Sequence, residues 1–111
     1  MAHKVSILNE SNFDSEVLSP ASTVMVQFST PWCGPCRTLT PIFEKIAEEV
    51  GDACKMCKID VEDNYHIASR FQITSVPTVI IFRDGKVVDK IIGLMSKQSL
   101  VSKINGLIKV G

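Results

Sequence analysis

Thr30-Pro31-Trp32-Cys33-Gly34-Pro35-Cys36 stands between two stretches of different periodicity. Before it, Val24-Met25-Val26-Gln27-Phe28 is an apolar run of strand length, interrupted only by Gln27, which suits a strand buried on both faces of a sheet. After it, Leu39, Ile42, Phe43, Ile46, Ala47 and Val50 recur with helical spacing, and Gly51 supplies a stop. Pro41 is expected to kink that helix. The segment therefore lies where a buried strand gives way to a helix, with Cys33 near the N-cap and Cys36 near the third helical position. The two sulfurs then face each other across one turn. Unpaired backbone N–H groups and the positive end of the helix dipole favour a thiolate at Cys33, with a pKa below the roughly 8.5 of a free thiol. Pro35 suits a first turn because its missing N–H would have had no helical partner, and Gly34 lets another backbone approach closely. Trp32 gives an amphipathic rim beside the sulfur.

Outward from this segment the chain alternates strands and helices. Val5 to Leu8 is a short apolar stretch, after which Asn9 or Ser11 is placed to cap a helix carrying Phe13, Val17 and Leu18 inward. Pro20 and Ser22 mark a loop. Residues 53–61 read as a second buried strand, with Cys54, Met56, Lys58 and Asp60 on one side and Lys55, Cys57, Ile59 and Val61 on the other. A short helix around 64–71 follows, then a strand over 79–82. Asp84-Gly85 signals a hairpin, returning antiparallel over 86–92. Ser96 caps a final amphipathic helix bearing Leu100, Val101, Ile104, Leu107 and Ile108. The pattern predicts one α/β domain over residues 1–111, its sheet covered on both faces.

Composition narrows the function classes. Hydrophobic residues make up 45% and charged residues 22% of 111, proportions of a folding globular chain. Twelve Lys plus Arg balance twelve Asp plus Glu, so no net basic charge favours nucleic acid or anionic lipid. No apolar run has spanning length, and Met1 to Leu8 is too mixed for a secretory signal; a cytoplasmic protein is expected. Four cysteines then call for a chemical explanation. They fall as Cys33-x-x-Cys36 and Cys54-x-x-Cys57, separated by 17 residues. One reading is a redox dithiol in the first pair with the second incidental. The other is a four-thiolate zinc site, which this spacing also fits.

Trp-Cys-Gly-Pro-Cys at 32–36, the strand ahead of it, Pro41, Val76-Pro77-Thr78, the Asp84-Gly85 hairpin and Gly93 together resemble the thioredoxin family, along essentially the whole chain. The resemblance implies a thioredoxin fold, with a central mixed sheet of four to five strands flanked by helices on both faces. It implies a protein dithiol–disulfide oxidoreductase in which Cys33 attacks a client disulfide and Cys36 resolves the mixed disulfide. No bound cofactor is needed, since the sulfurs carry the electrons. The implied partners are disulfide-containing clients and a thioredoxin reductase, NADPH- or ferredoxin-linked, with the chain itself a monomer. The resemblance also assigns a cis bond between Val76 and Pro77 opposite the dithiol, so that Trp32, Val76, Pro77 and Gly93 form the substrate groove. Plainer readings exist: Pro77 starts a strand, and Gly93 marks a turn or bulge. A disulfide oxidase or isomerase of the same fold is the rival activity, and Gly34-Pro35 resembles the reducing branch instead.

Three positions depart from the family. Gln27 stands where an Asp usually helps move the proton of the resolving cysteine, and Met56 where a Lys usually accompanies that acid. A buried charged pair is thereby replaced by two neutral residues, which the fold should tolerate. Gln does not accept and return a proton as a carboxylate does, so resolution is expected to be slower than in a Gln27→Asp variant. Ser29 replaces a family tryptophan and makes the rim more polar. Cys54 and Cys57, on opposite faces of one strand, read as small buried hydrophobes that cannot readily bridge. His66, Tyr65, Glu48 and Glu49 read as surface residues. Asn9-Glu10-Ser11 matches a glycosylation acceptor but is expected to play no such part.

Overall fold

The computed structural model describes residues 4–18 and 23–108. Residues 1–3, the loop positions Pro20 and Ser22, and the side chain of Ile108 lie outside the described residues. The elements in chain order are β1 (Ser6–Leu8), α1 (Phe13–Val17), β2 (Thr23–Ser29), α2 (Gly34–Val50), β3 (Lys55–Asp60), α3 (Tyr65–Arg70), β4 (Thr78–Arg83), β5 (Lys86–Ile92) and α4 (Lys97–Ile108).

β2 is buried at every position, as its apolar run requires, because it has a neighbour on each side and a helical layer on each face. The strand order is β1-β3-β2-β4-β5. β1, β3 and β2 run parallel, β4 pairs antiparallel with β2, and β5 antiparallel with β4. This is the mixed five-stranded sheet of a thioredoxin fold. Alternation along the strands sorts the core into two layers. Val24, Val26 and Phe28 join Leu8, Cys57, Ile59, Ile80 and Phe82 beneath Phe13, Val17 and Ile67 of α1 and α3. Met25 joins Met56, Val79 and Ile81 beneath Leu39, Phe43 and Ile46 of α2 and Leu100 and Ile104 of α4.

Helix ends follow local chemistry, with two departures from the sequence reading. Gly51 ends α2 at φ 56°, its N–H donating to Ala47 carbonyl, and a 3₁₀ turn over Gly51–Ala53 then delays β3 to Lys55. Neither Asn9 nor Ser11 occupies the N-cap of α1; Asn12 does, and Asn9 instead folds the lead-in, its Oδ1 accepting from the N–H groups of Ser11 and Asn12 at 2.8 and 3.0 Å. Ser96 does cap α4, its Oγ accepting from Ser99 N–H at 3.1 Å. Pro41 is accommodated within α2 without ending it. At the hairpin Asp84 and Gly85 adopt φ of 53° and 79°, the doubly left-handed pair of a type I′ turn. No helix among the described residues is long and apolar enough to cross a membrane.

Candidate active site

The dithiol segment sits where β2 releases the chain into α2. Cys33 is the N-cap, extended at φ −84° and ψ 120°, Gly34 and Pro35 fill the first two helical positions, and Cys36 the third. The Cα atoms of Cys33 and Cys36 are 5.2 Å apart and their sulfurs are joined as a disulfide. Cys33 Sγ also accepts the Cys36 backbone N–H at 3.2 Å, one of the orphan donors of a helix start. That donor and the helix dipole are placed to stabilise negative charge on Cys33 when the disulfide is opened. Both cysteines are buried, while Trp32 is 64% exposed. Gly34 is exposed, and a Cβ there would meet open space, so packing does not demand glycine at this position.

The distant candidates converge on the same end of the sheet. The Val76–Pro77 peptide bond is cis. Val76 carbonyl oxygen lies 3.8 Å from Cys33 Sγ; a disulfide sulfur carries no proton, so this is a contact and not a hydrogen bond. Gly93, at φ 96°, donates its N–H to Pro77 carbonyl at 2.9 Å, and Thr78 Oγ1 donates to Ser75 carbonyl at 2.7 Å, holding the turn. Ile92 and Leu94, which the sequence reading passed over, flank Gly93 with exposed apolar side chains.

Behind the disulfide, Gln27 is fully buried, and its Nε2 donates to Cys36 carbonyl at 3.3 Å. Gln27 Oε1, Ser29 Oγ and Thr30 Oγ1 have no hydrogen-bond partner among the described residues. Met56 is in register with Met25, one pair along from Gln27 on the same face. Lys58 is the residue in register with Gln27. Its Nζ donates to Thr40 Oγ1 at 3.2 Å, and Thr40 Oγ1 donates in turn to Cys36 carbonyl at 3.0 Å. The surroundings of Cys36 therefore keep a cation after all, which corrects the expectation of a purely neutral replacement.

The second cysteine pair does not join the first. Cys54, just ahead of β3, packs in the layer under α2 with its Sγ 3.9 Å from Met56 Sδ, whereas Cys57 packs in the opposite layer. Both are free and buried. Burial pushes both thiols from 9.0 up to about 12; the neighbouring Cys57 adds to the rise at Cys54, and the Lys55 ammonium offsets part of it at Cys57. With one pair bonded to itself and the other divided by the sheet, the four sulfurs do not converge as a zinc site requires. Among the described residues, no group of three or more His, Cys, Asp or Glu is placed to hold a metal ion. His66, Tyr65, Glu48 and Glu49 are exposed, as their pattern predicted.

Comparison with known proteins agrees with this geometry. Residues 4–106 match the thioredoxin family model. The chain is 42% identical over 101 residues to a thioredoxin of Pyropia yezoensis, covering 91% of this chain and 94% of that one. It is 40% identical over 105 residues to a thioredoxin of Rickettsia felis, covering 95% and 97%. Among solved structures, a mutant thioredoxin from Halobacterium salinarum NRC-1 superposes with a TM-score of 0.88 at 30% identity, over 97% of this chain and 94% of that one. A disulfide at the head of α2 and a likeness running the length of the chain lead to one conclusion: the protein belongs to the thioredoxin family of dithiol–disulfide oxidoreductases.

Proposed function

We propose that this chain reduces disulfides of client proteins, with Cys33 as the attacking sulfur and Cys36 as the resolving one. The observation that carries the assignment is the asymmetry of the pair: Cys33 is the N-cap, accepts a backbone N–H, and lies beside the exposed Trp32, while Cys36 sits within the helix and over Gln27. In the reduced protein the Cys33 thiolate attacks one sulfur of the client disulfide, and the client's other sulfur leaves with the electron pair and takes up a proton. Cys36 then loses its proton and attacks Cys33 Sγ, which closes the disulfide and expels the second client sulfur. Two electrons pass to the client, and no bound cofactor is involved.

Trp32, Val76, Pro77 and Gly93 form the groove in this reading. A client strand laid there meets the Val76 backbone next to Cys33 and the exposed rings and branches of Trp32, Ile92 and Leu94. A thioredoxin reductase, flavoprotein and NADPH-linked or ferredoxin-linked, returns the electrons. The chain works as a monomer in the cytoplasm, where a dithiol can be kept reduced.

The test is a redox titration against dithiol buffers, with alkylation and peptide mapping. A two-electron couple confined to Cys33 and Cys36, near the general thioredoxin value of about −270 mV, is expected. A potential tens of millivolts higher would favour an oxidase or isomerase. A Cys36→Ser variant is expected to trap the client on Cys33, and trapping through any other cysteine would overturn the assignment. Coupling to each reductase type, gel filtration and cell fractionation test the partner, the monomer and the compartment.

A further inference from the structure

The turn that presents Val76 to Cys33 has little side-chain packing to hold it. Between the end of α3 and Thr78, Gln72, Thr74 and Ser75 are exposed, and Ile73 and Val76 are only partly buried. Its position therefore rests on bonds to its backbone. At the far end Gly93 N–H donates to Pro77 carbonyl at 2.9 Å and Thr78 Oγ1 to Ser75 carbonyl at 2.7 Å. At the near end α3 closes in a Schellman arrangement: Ile73 N–H donates to Ala68 carbonyl at 2.9 Å and Gln72 N–H to Ser69 carbonyl at 3.1 Å, with Gln72 left-handed at φ 57°. Glycine takes that conformation freely, whereas Gln72 holds it against the crowding of its own Cβ.

A helix end leaves carbonyl oxygens without partners and gathers negative charge. The cation on α3 itself does not answer it. Arg70 turns away to Asp14 Oδ1 at 2.8 Å, its guanidinium over the rings of Phe13 and Phe71. Lys90 of β5 does. It is in register with Ile80, whose side chain lies in the layer beneath α1 and α3, so Lys90 projects to that face, while its neighbour Asp89 projects to the other and meets Lys103 of α4. Lys90 Nζ donates to the carbonyls of Phe71 and Gln72, both at 3.3 Å. β5 thus holds the turn at both ends, through Lys90 and through Gly93 three residues on.

We propose that Lys90 is a positioning residue for client binding: its ammonium fixes the exit of the chain from the strained end of α3, and with it the place where the Val76 backbone meets a client strand beside Cys33. The proposal deepens the exchange reading given above and rests on it. Lys90 touches neither sulfur. Val76 carbonyl lies 3.8 Å from Cys33 Sγ, so a displacement of the turn by about 1 Å carries the pairing edge away from the reacting sulfur and slows exchange with a client that must pair there. A small disulfide that reaches Cys33 without pairing is spared.

The experiment mixes reduced protein, freed of dithiothreitol, with excess insulin, whose disulfides are carried on peptide chains, and in parallel with 5,5′-dithiobis(2-nitrobenzoate), which has no backbone to pair. Acid quenching, alkylation and mass measurement count oxidised protein against time. Lys90→Met keeps the aliphatic stem and loses the charge. It is expected to slow the insulin reaction about threefold, the scale of one charge at a helix end, and to slow the small disulfide by less than that. Lys90→Arg is expected to restore the insulin rate. Hydrogen exchange read by mass is expected to speed up over residues 73–76 in Lys90→Met and to return in Lys90→Arg. An unmoved insulin rate in Lys90→Met, equal slowing on both disulfides, unchanged exchange over 73–76, or Lys90→Arg as slow as Lys90→Met would each overturn the proposal. Failure of the exchange reading itself would look different: the unaltered protein would leave insulin unreduced, or a Cys33→Ser variant would still reduce it.

Discussion

A cysteine is a nucleophile only so far as its surroundings let it ionise, and the four here live in different surroundings. Cys33 has a backbone donor and a helix dipole aimed at its sulfur. Cys54 and Cys57 have burial, and their thiols are pushed up to about 12. In native reduced protein at neutral pH, iodoacetamide is therefore expected to modify Cys33 and leave Cys54 and Cys57 unreacted until denaturant is added, as read by peptide mass mapping. A stability effect follows with a definite sign. The folded pKa is raised, so the contribution of these thiols is whole below pH 9.0 and is lost as pH climbs toward 12. Across that window urea-unfolding free energy is expected to fall by about 1.4 kcal/mol per pH unit for each thiol, over and above other titrations. The Cys54→Ala/Cys57→Ala variant, which removes both, is expected to fall less steeply by about 2.7 kcal/mol per pH unit.

At the scale of single elements, turns and caps make the sharpest tests. Gly85 sits at φ 79°, and a Cβ there would stand 2.9 Å from Leu18 carbonyl oxygen, a backbone atom that has little room to give. Gly85→Ala is expected to cost about 1–3 kcal/mol in chemical unfolding, from backbone conformation and crowding together. Ser96→Ala removes the acceptor for Ser99 N–H and is expected to cost about 1 kcal/mol. Both sites were legible in the sequence, because a type I′ turn demands residues that tolerate positive φ and a helix start demands an oxygen. The start of α1 was less legible. Asn9, Ser11 and Asn12 are all competent caps, yet Asn12 holds the N-cap position without a side-chain cap bond, its Oδ1 instead accepting from Asn9 N–H. The 3₁₀ turn ahead of β3 escaped for a related reason: the strand pattern there runs on through Ala53, but the exit angle set by Gly51 does not.

At the scale of the whole molecule, one sheet serves two cores. Ile104 of α4 is fully buried against the layer that also holds Phe43 and Met56, so Ile104→Ala is expected to cost about 2–5 kcal/mol and to lower the urea midpoint of the entire domain in one transition. The two layers could be sorted in advance, since period-two alternation already put Met56, Lys58 and Asp60 on one side and Cys57 and Ile59 on the other. What stayed out of reach was register. Alternation places Lys58 on a face but does not say that it stands opposite Gln27, nor that Thr40, one turn along α2 from Cys36, accepts its ammonium. The groove was readable only through family likeness, because Val76, Pro77 and Gly93 are brought to Cys33 by pairings over tens of residues. Trp32 carries a last consequence. It is the only tryptophan in the chain and stands mostly in water beside the disulfide. Native emission is then a signal from the reactive rim and nearly silent about the interior: unlabelled protein can report client docking and thiol state in real time, while loss of the fold has to be followed by circular dichroism.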